Sequence, residues 1–180
     1  HTIRRLAAAE LEGLVGTGKS GTVYLVDRDN MGHYNGTDGI NGNDNNIVQS
    51  IVGATAQTWS SPAYFNNQIY LQPSSSAMRA YAITNGHIST PAASIATASF
   101  GTYNGGPVIS ANGTNDGIVW VLNGAGGTGT EVLYALNATN IAQQLYNSSQ
   151  LSRDIPGSGI KMITPTVANG KVYVGAQFAL

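Results

Sequence analysis

An all-β fold built of repeated antiparallel units is predicted by two phrases that recur along the chain and by a composition almost free of charge. The first phrase is a hairpin opened by proline. It reads Ser61-Pro62-Ala63-Tyr64-Phe65-Asn66-Asn67-Gln68-Ile69-Tyr70-Leu71, then Gly106-Pro107-Val108-Ile109-Ser110-Ala111-Asn112 running into Asp116-Gly117-Ile118-Val119-Trp120-Val121, then Thr164-Pro165-Thr166-Val167-Ala168-Asn169-Gly170-Lys171-Val172-Tyr173-Val174. Each copy has an extended strand, an Asn or Asn-Gly turn, and a β-branched or aromatic return strand, the grammar of a tight hairpin. The second phrase is a strand carrying Tyr three positions before a polar turn residue, at Tyr24, Tyr81 and Tyr134.

The composition narrows function before any motif is weighed. Only 9% of the 180 residues are charged, and the net charge is −1, against about 25% charged residues in an average soluble domain. Polarity comes from Asn, Ser, Thr, Gln and Gly. The basic patch that nucleic-acid binding needs is missing, so no nucleic-acid partner is expected. No apolar run reaches the roughly 18 residues of a membrane span, so no membrane partner is expected either. With no cysteine, disulfides, thiolate nucleophiles and Cys-ligated zinc are excluded. The Asn/Ser/Thr/Gly-rich style suits an exported bacterial β-protein, which places the parent protein outside the cytoplasm, secreted or periplasmic.

Taken in order, residues 1–14 differ from the rest. Ile3-Arg4-Arg5-Leu6-Ala7-Ala8-Ala9-Glu10-Leu11-Glu12 is rich in helix formers, and this stretch is expected to be a lead-in, a cloning scar or a helical arm. Gly13-Leu14-Val15-Gly16-Thr17-Gly18-Lys19-Ser20 matches the phosphate-loop pattern. That loop works only between a strand and a helix, whose N-terminus faces the phosphates. Here Gly21-Thr22-Val23-Tyr24-Leu25-Val26-Asp27 follows, which is strand-like, so the expectation is a turn into a strand and no nucleotide site. The tyrosines lie 57 and 53 residues apart and the prolines 45 and 58 apart. The two phrases therefore alternate, in a unit the size of a four-stranded propeller blade. The expected fold is an all-β partial β-propeller of about three four-stranded antiparallel blades over residues 15–180. A half unit covers 15–60, full units cover 61–105 and 106–163, and a half unit covers 164–180. An unclosed ring leaves open sheet edges, and a homodimer completing the propeller is the expected answer to them.

The Tyr-x-x-Asp strand ends at Val23–Gly32 and Leu133–Asn140, with the Val167-Ala168-Asn169-Gly170-Lys171-Val172-Tyr173-Val174 hairpin, resemble the repeats of pyrroloquinoline-quinone-type, or quinoprotein-like, β-propellers. The likeness covers roughly residues 15–180 and carries fold more than chemistry. It implies quinone chemistry only where a covering group, a Trp floor and a calcium site are present. This chain has no Cys and only Trp59 and Trp120, so no quinone cofactor is expected, and Trp120 is expected to pack within a blade.

Hard oxygen ligands are the chemical surplus. Asp27-Arg28-Asp29-Asn30-Met31-Gly32-His33-Tyr34-Asn35-Gly36-Thr37-Asp38 approximates a twelve-residue calcium loop, with Met31 and the short Asp38 as departures. Asp44 and its Asn neighbours follow. Asp27, Asp29, Asn30, Asp38 and Asp44 are the candidate ligands for Ca²⁺; the alternative is a plain turn whose Asx side chains satisfy local amides. His33, beside the acidic run, is the candidate general base. His87 is expected to be an exposed turn residue. Calcium-bearing propellers include lactonases, in which the metal stabilises the developing oxyanion while a base activates water. The chain is also similar to the metagenome-derived N-acyl-homoserine lactone hydrolases of the resembled group. That likeness implies a calcium-dependent quorum-quenching lactonase with a small-molecule lactone as substrate. The alternative is a non-catalytic propeller module that binds a glycan or a protein partner.

Overall fold

The computed structural model describes residues 4–8, 11–31, 47–124 and 129–177. Two four-stranded antiparallel sheets, a five-stranded one between them and a final two-stranded one are formed by the described residues. The first sheet contains β1 (Arg4–Ala8), β2 (Leu11–Thr17), β3 (Val23–Asp27) and β4 (Ile47–Ile51). The second has β5 (Ala63–Phe65), β6 (Gln68–Leu71) and β7 (Ala77–Thr84), a short β8 (His87–Ile88), and β9 (Ser94–Ser99), which pairs with β7. The third has β10 (Val108–Asn112), β11 (Asn115–Asn123), β12 (Val132–Asn137) and β13 (Asn140–Asn147), and the last is the hairpin β14 (Thr166–Ala168) and β15 (Lys171–Tyr173). This is the expected arrangement of blades in a partial propeller. Among the described residues the blades do not close into a ring, and no helix is long and apolar enough to cross a membrane.

The two phrases occupy equivalent places in each blade. The Pro-opened hairpin supplies the first two strands, in the registers Ala63↔Tyr70 and Val167↔Val172, and the Tyr phrase supplies the third. Asn66 (φ 44°), Asn67 (φ 57°), Asn169 (φ 50°) and Gly170 (φ 71°) hold the left-handed conformation that two-residue hairpin turns require.

One expectation changes at the amino end. Arg4–Ala8 is a strand, paired with β2 in the register Leu6↔Gly13, so the helix expected within residues 1–14 is not formed there. Helix propensity amounts to a few tenths of a kcal/mol per residue, and strand pairing outweighs it. The proposed boundary at residue 15 falls inside β2. The first unit is accordingly a full four-stranded blade rather than a half.

Blades stack face to face around two apolar clusters. Val15, Val23 and Leu25 of the first blade meet Ile69, Leu71, Tyr81, Ile83 and Ile88 of the second. From the opposite face of the second blade, Tyr70, Met78 and Ala80 meet Val119, Val121, Leu136 and Ile141 of the third. Because side chains alternate along a strand, Ile69 and Tyr70 point to different clusters, which is why β6 and β7 are apolar at nearly every position. Tyr70 crosses between blades, its hydroxyl donating to the Ala138 carbonyl at 2.7 Å, and burial raises that hydroxyl's pKa to about 12. Tyr81 likewise donates to the Ala54 carbonyl of the preceding blade. The first strands β1, β5, β10 and β14 touch one another in succession, placing them on the inner side of the arc.

The strand connections sort to two ends. Tight turns after β5, β7, β10, β12 and β14 lie at one end, where Asn66 Nδ2 reaches the Thr114 carbonyl, and the chain leaves β3 at this end as well. At the other end lie the longer connections 52–62, 100–107 and 148–165, together with the links following β2, β6 and β11. They are knitted by Thr58 N to Gly18 O (3.1 Å), Ser74 N to Gln57 O (2.8 Å), Met162 N to Tyr103 O (2.7 Å) and Glu131 N to Gly157 O (2.8 Å).

Candidate functional site

The described calcium candidates, Asp27, Asp29 and Asn30, sit at the turn end. Asp27 closes β3, and its Oδ1 accepts the Asp29 amide at 2.9 Å, an Asx turn. Asp29 Oδ1 accepts from Arg28 Nε at 3.0 Å and Arg28 Nη2 at 2.9 Å. Asn30 is exposed in the same turn. His33, Asp38 and Asp44 lie outside the described residues. Among the described residues no three His, Cys, Asp or Glu side chains gather as metal ligands would. The phosphate-loop match is a hairpin: Gly13–Thr17 is strand, Gly21 N donates to Gly18 O at 3.1 Å, and β3 follows. Gly21 is at φ +71°, and a Cβ there would lie 2.2 Å from the Thr55 carbonyl oxygen, so its glycine serves a close backbone approach. His87 is exposed, with Nδ1 3.1 Å from the Asn85 carbonyl of its own turn. Trp120 packs within the third blade and donates to Ser110 Oγ at 2.8 Å.

The loop end is chemically different. Thr17, Thr55, Trp59, Ser60, Gln72, Ser74 and Glu131 all hold buried polar side-chain atoms without a hydrogen-bond partner; elsewhere among the described residues the only such atom is Gln68 Oε1. Buried polar groups are almost always satisfied, and a concentration of exceptions marks a place where something else supplies the bonds. Among the described residues, those with positive φ at the turn end are Asn, Asp or Gly, whereas at the loop end Ser75, Tyr103 and Met162 also adopt it. Tyr103 and Met162 both have positive φ, 62° and 61°, a conformation costly for non-glycine residues.

A cleft of about 260 Å³ opens at the mouth of the first strands, lined by Trp59, Ser60, Ser61, Pro107, Met162 and Thr164. The residues immediately preceding β5, β10 and β14 build it, so three connections that are distant in sequence converge where the inner strands begin. Asn104, itself buried, ties the connection after β9 to the end of β11: Nδ2 donates to the Gly101 carbonyl and Oδ1 accepts the Gly124 amide at 3.1 Å. Gly106 N donates to Thr164 Oγ1 at 3.1 Å, and a Cβ on Gly105 would lie 1.8 Å from the Ile163 carbonyl oxygen.

Beside the cleft the half-buried rings of Trp59 and Tyr103 meet with centroids 5.3 Å apart and planes tilted by 54°. Lys19 Nζ stands 4.4 Å from the Trp59 ring centroid, and Lys161 Nζ 4.8 Å from that of Tyr103. Both lysines are exposed, and neither makes a salt bridge among the described residues. An exposed cation–π contact contributes about 0.5–1 kcal/mol, whereas a hydrogen bond to a charged group contributes about 1.5–3 kcal/mol. Each ammonium has three donors and can meet an anion from above its ring.

Glu131 lies under this end, 1% exposed, with both carboxylate oxygens unpartnered. Gly124 and Gly159 flank it, and a Cβ on Gly124 would lie 3.2 Å from Oε1. Desolvation raises the carboxyl's pKa to about 7, from its ordinary 4.5. Near neutrality the group is therefore close to half protonated.

Sequence reading passed over Tyr103, Lys161 and Glu131 and set Trp59 aside. One signal was present: Trp59, Tyr103 and Lys161 each stand three or four residues before Pro62, Pro107 and Pro165. The same recurring proline that opens each inner strand thus marks the rim of the cleft. No family model matches this sequence, and no curated protein matches it.

Proposed function

We propose that this chain is a non-catalytic carbohydrate-binding module whose loop end seats a saccharide in the cleft beside Trp59. The observation that carries the reading is the tilted, half-buried Trp59–Tyr103 pair next to a cleft lined by Trp59, Ser60, Ser61 and Thr164. Aromatic rings give a sugar's C–H face an apolar platform with a polar handle, and a few convergent polar groups then set orientation. The cleft is smaller than the ~300–1,000 Å³ of drug-sized pockets, a size suited to one sugar ring with its neighbours outside. Ser61 and Thr164 add hydroxyls on opposite walls.

Isothermal titration of the chain with soluble oligosaccharides tests this. Binding is expected to fall at least tenfold in Trp59→Ala and only partly in Trp59→Phe, which keeps a ring and removes the N–H. Failure of every saccharide to bind overturns the reading. So does calcium-dependent opening of an N-acyl-homoserine lactone that is lost with EDTA and in Asp29→Ala, which would move the function to the segment after β3.

A further inference from the structure

Resting on the saccharide-binding reading, we infer that the ligand is an acidic saccharide, bearing carboxylate or sulfate groups on its rings, held by Lys19 and Lys161 at the two ends of the Trp59–Tyr103 pair beside the cleft. The groups run in a line, Lys19, Trp59, Tyr103, Lys161, each in contact with the next. They come from four separate connections, the links following β2, β4, β9 and β13, so the fold and not local sequence creates the alternation of cation and ring.

The electrostatics of this end are one-sided. Its described carboxylates are Glu131, which is buried, and Asp154, which accepts the Tyr146 hydroxyl at 2.8 Å and has Arg153 Nε 3.7 Å away. Neither faces a lysine of the line as an ion-pair partner. Trp59 Nε1–H and the Ser60 hydroxyl are enclosed, so the charged groups that this line offers a ligand are its two exposed ammonium groups. Carboxylates and sulfates are acceptor-only at neutral pH, and each lysine offers up to three donors, so donors on the protein match acceptors on the ligand. A neutral saccharide could satisfy the rings but would leave both ammonium groups without a counter-charge. Lysine binds as a point charge and does not require the planar fork that arginine demands, so carboxylate and sulfate are both accommodated.

The test titrates the full chain with three hexasaccharides: oligogalacturonate, a heparin-type sulfated oligomer, and neutral cellohexaose. At least one acidic oligomer is expected to bind about tenfold tighter than cellohexaose at low salt, with an advantage that shrinks as salt screens exposed charges. Lys19→Gln with Lys161→Gln is expected to reduce that preference at least fivefold, while Lys171→Gln, on the hairpin at the opposite end, is expected to keep it. Circular dichroism confirms that each variant is folded. The better-bound acidic oligomer tells carboxylate from sulfate, and either result supports the inference. Equal binding of cellohexaose and both acids, unchanged in the double variant, overturns the acid preference and leaves the saccharide reading standing. No binding of any of the three overturns both.

Discussion

At the turn end, Asn and Asp side chains close their own turns: Asp27 accepts from Asp29, Asn137 accepts from the Thr139 amide at 2.9 Å and its hydroxyl at 2.8 Å, and the Tyr64 hydroxyl donates to Asn67 at 2.9 Å. At the loop end the same strands run into connections whose buried polar atoms are largely left unmatched, from Thr17 to Glu131. The turn end satisfies itself locally within two or three residues, because Asx side chains reach their own backbone. The loop end joins segments from all four sheets, and two of the residues with unmatched groups, Trp59 and Ser60, line the cleft. Self-satisfied turns suit stability, and unsatisfied donors near a cleft suit recognition.

The sharpest way to break this comparison is to substitute the glycines that allow close approach. Gly105→Ala at the loop end drives a Cβ onto a carbonyl oxygen 1.8 Å away, which backbone cannot relieve; a loss of about 3 kcal/mol is expected in urea unfolding. At the turn end, Gly117→Ala meets the Phe65 ring at 2.4 Å. A half-buried side chain can rotate, so the expected loss is smaller, about 1–2 kcal/mol. Equal losses would show the two ends to be packed alike.

Next in size is Glu131. Its folded pKa lies above its unfolded one, so between about 4.5 and 7 the native state holds a proton that the unfolded chain releases. The stability contributed by this group is full below pH 4.5, is lost as pH rises through about 7, and is flat beyond. Glu131→Gln is expected to abolish this slope and to raise stability at pH 8 by about 1–3 kcal/mol, because it removes the buried charge that the carboxylate carries there. A melting temperature measured from pH 4 to 8 checks both.

Smaller again is Asn169→Ala, which places Ala at φ 50° in the β14–β15 turn; about 1 kcal/mol is expected from the left-handed strain alone. The smallest is Lys171→Gln at the start of β15, an exposed position expected to change stability by less than about 0.5 kcal/mol.

Much of the fold was legible because its signals are local. Pro62, Pro107 and Pro165 open strands, Asn66-Asn67 and Asn169-Gly170 turn them, and Tyr24, Tyr81 and Tyr134 mark third strands, each readable from a few adjacent residues. The first blade was misjudged because Arg4–Ala8 has helix-forming residue types, and its strand state comes from pairing with β2. The calcium and lactonase expectation drew on Asp27, Asp29 and Asn30, whose described geometry is an Asx turn with an Arg28–Asp29 ion pair, and on His33, Asp38 and Asp44, which lie outside the described residues.

By itself, then, the sequence determined the strands, their turns, the repeat and the lack of a phosphate loop, since periodicity and turn chemistry act over two to twelve residues. Only the tertiary structure decided that Lys19, Trp59, Tyr103 and Lys161 form one line and that Glu131 is enclosed by Gly124 and Gly159. Those juxtapositions depend on blade stacking, which brings together groups separated by as many as 142 positions, from Lys19 to Lys161, and no local pattern encodes such a contact.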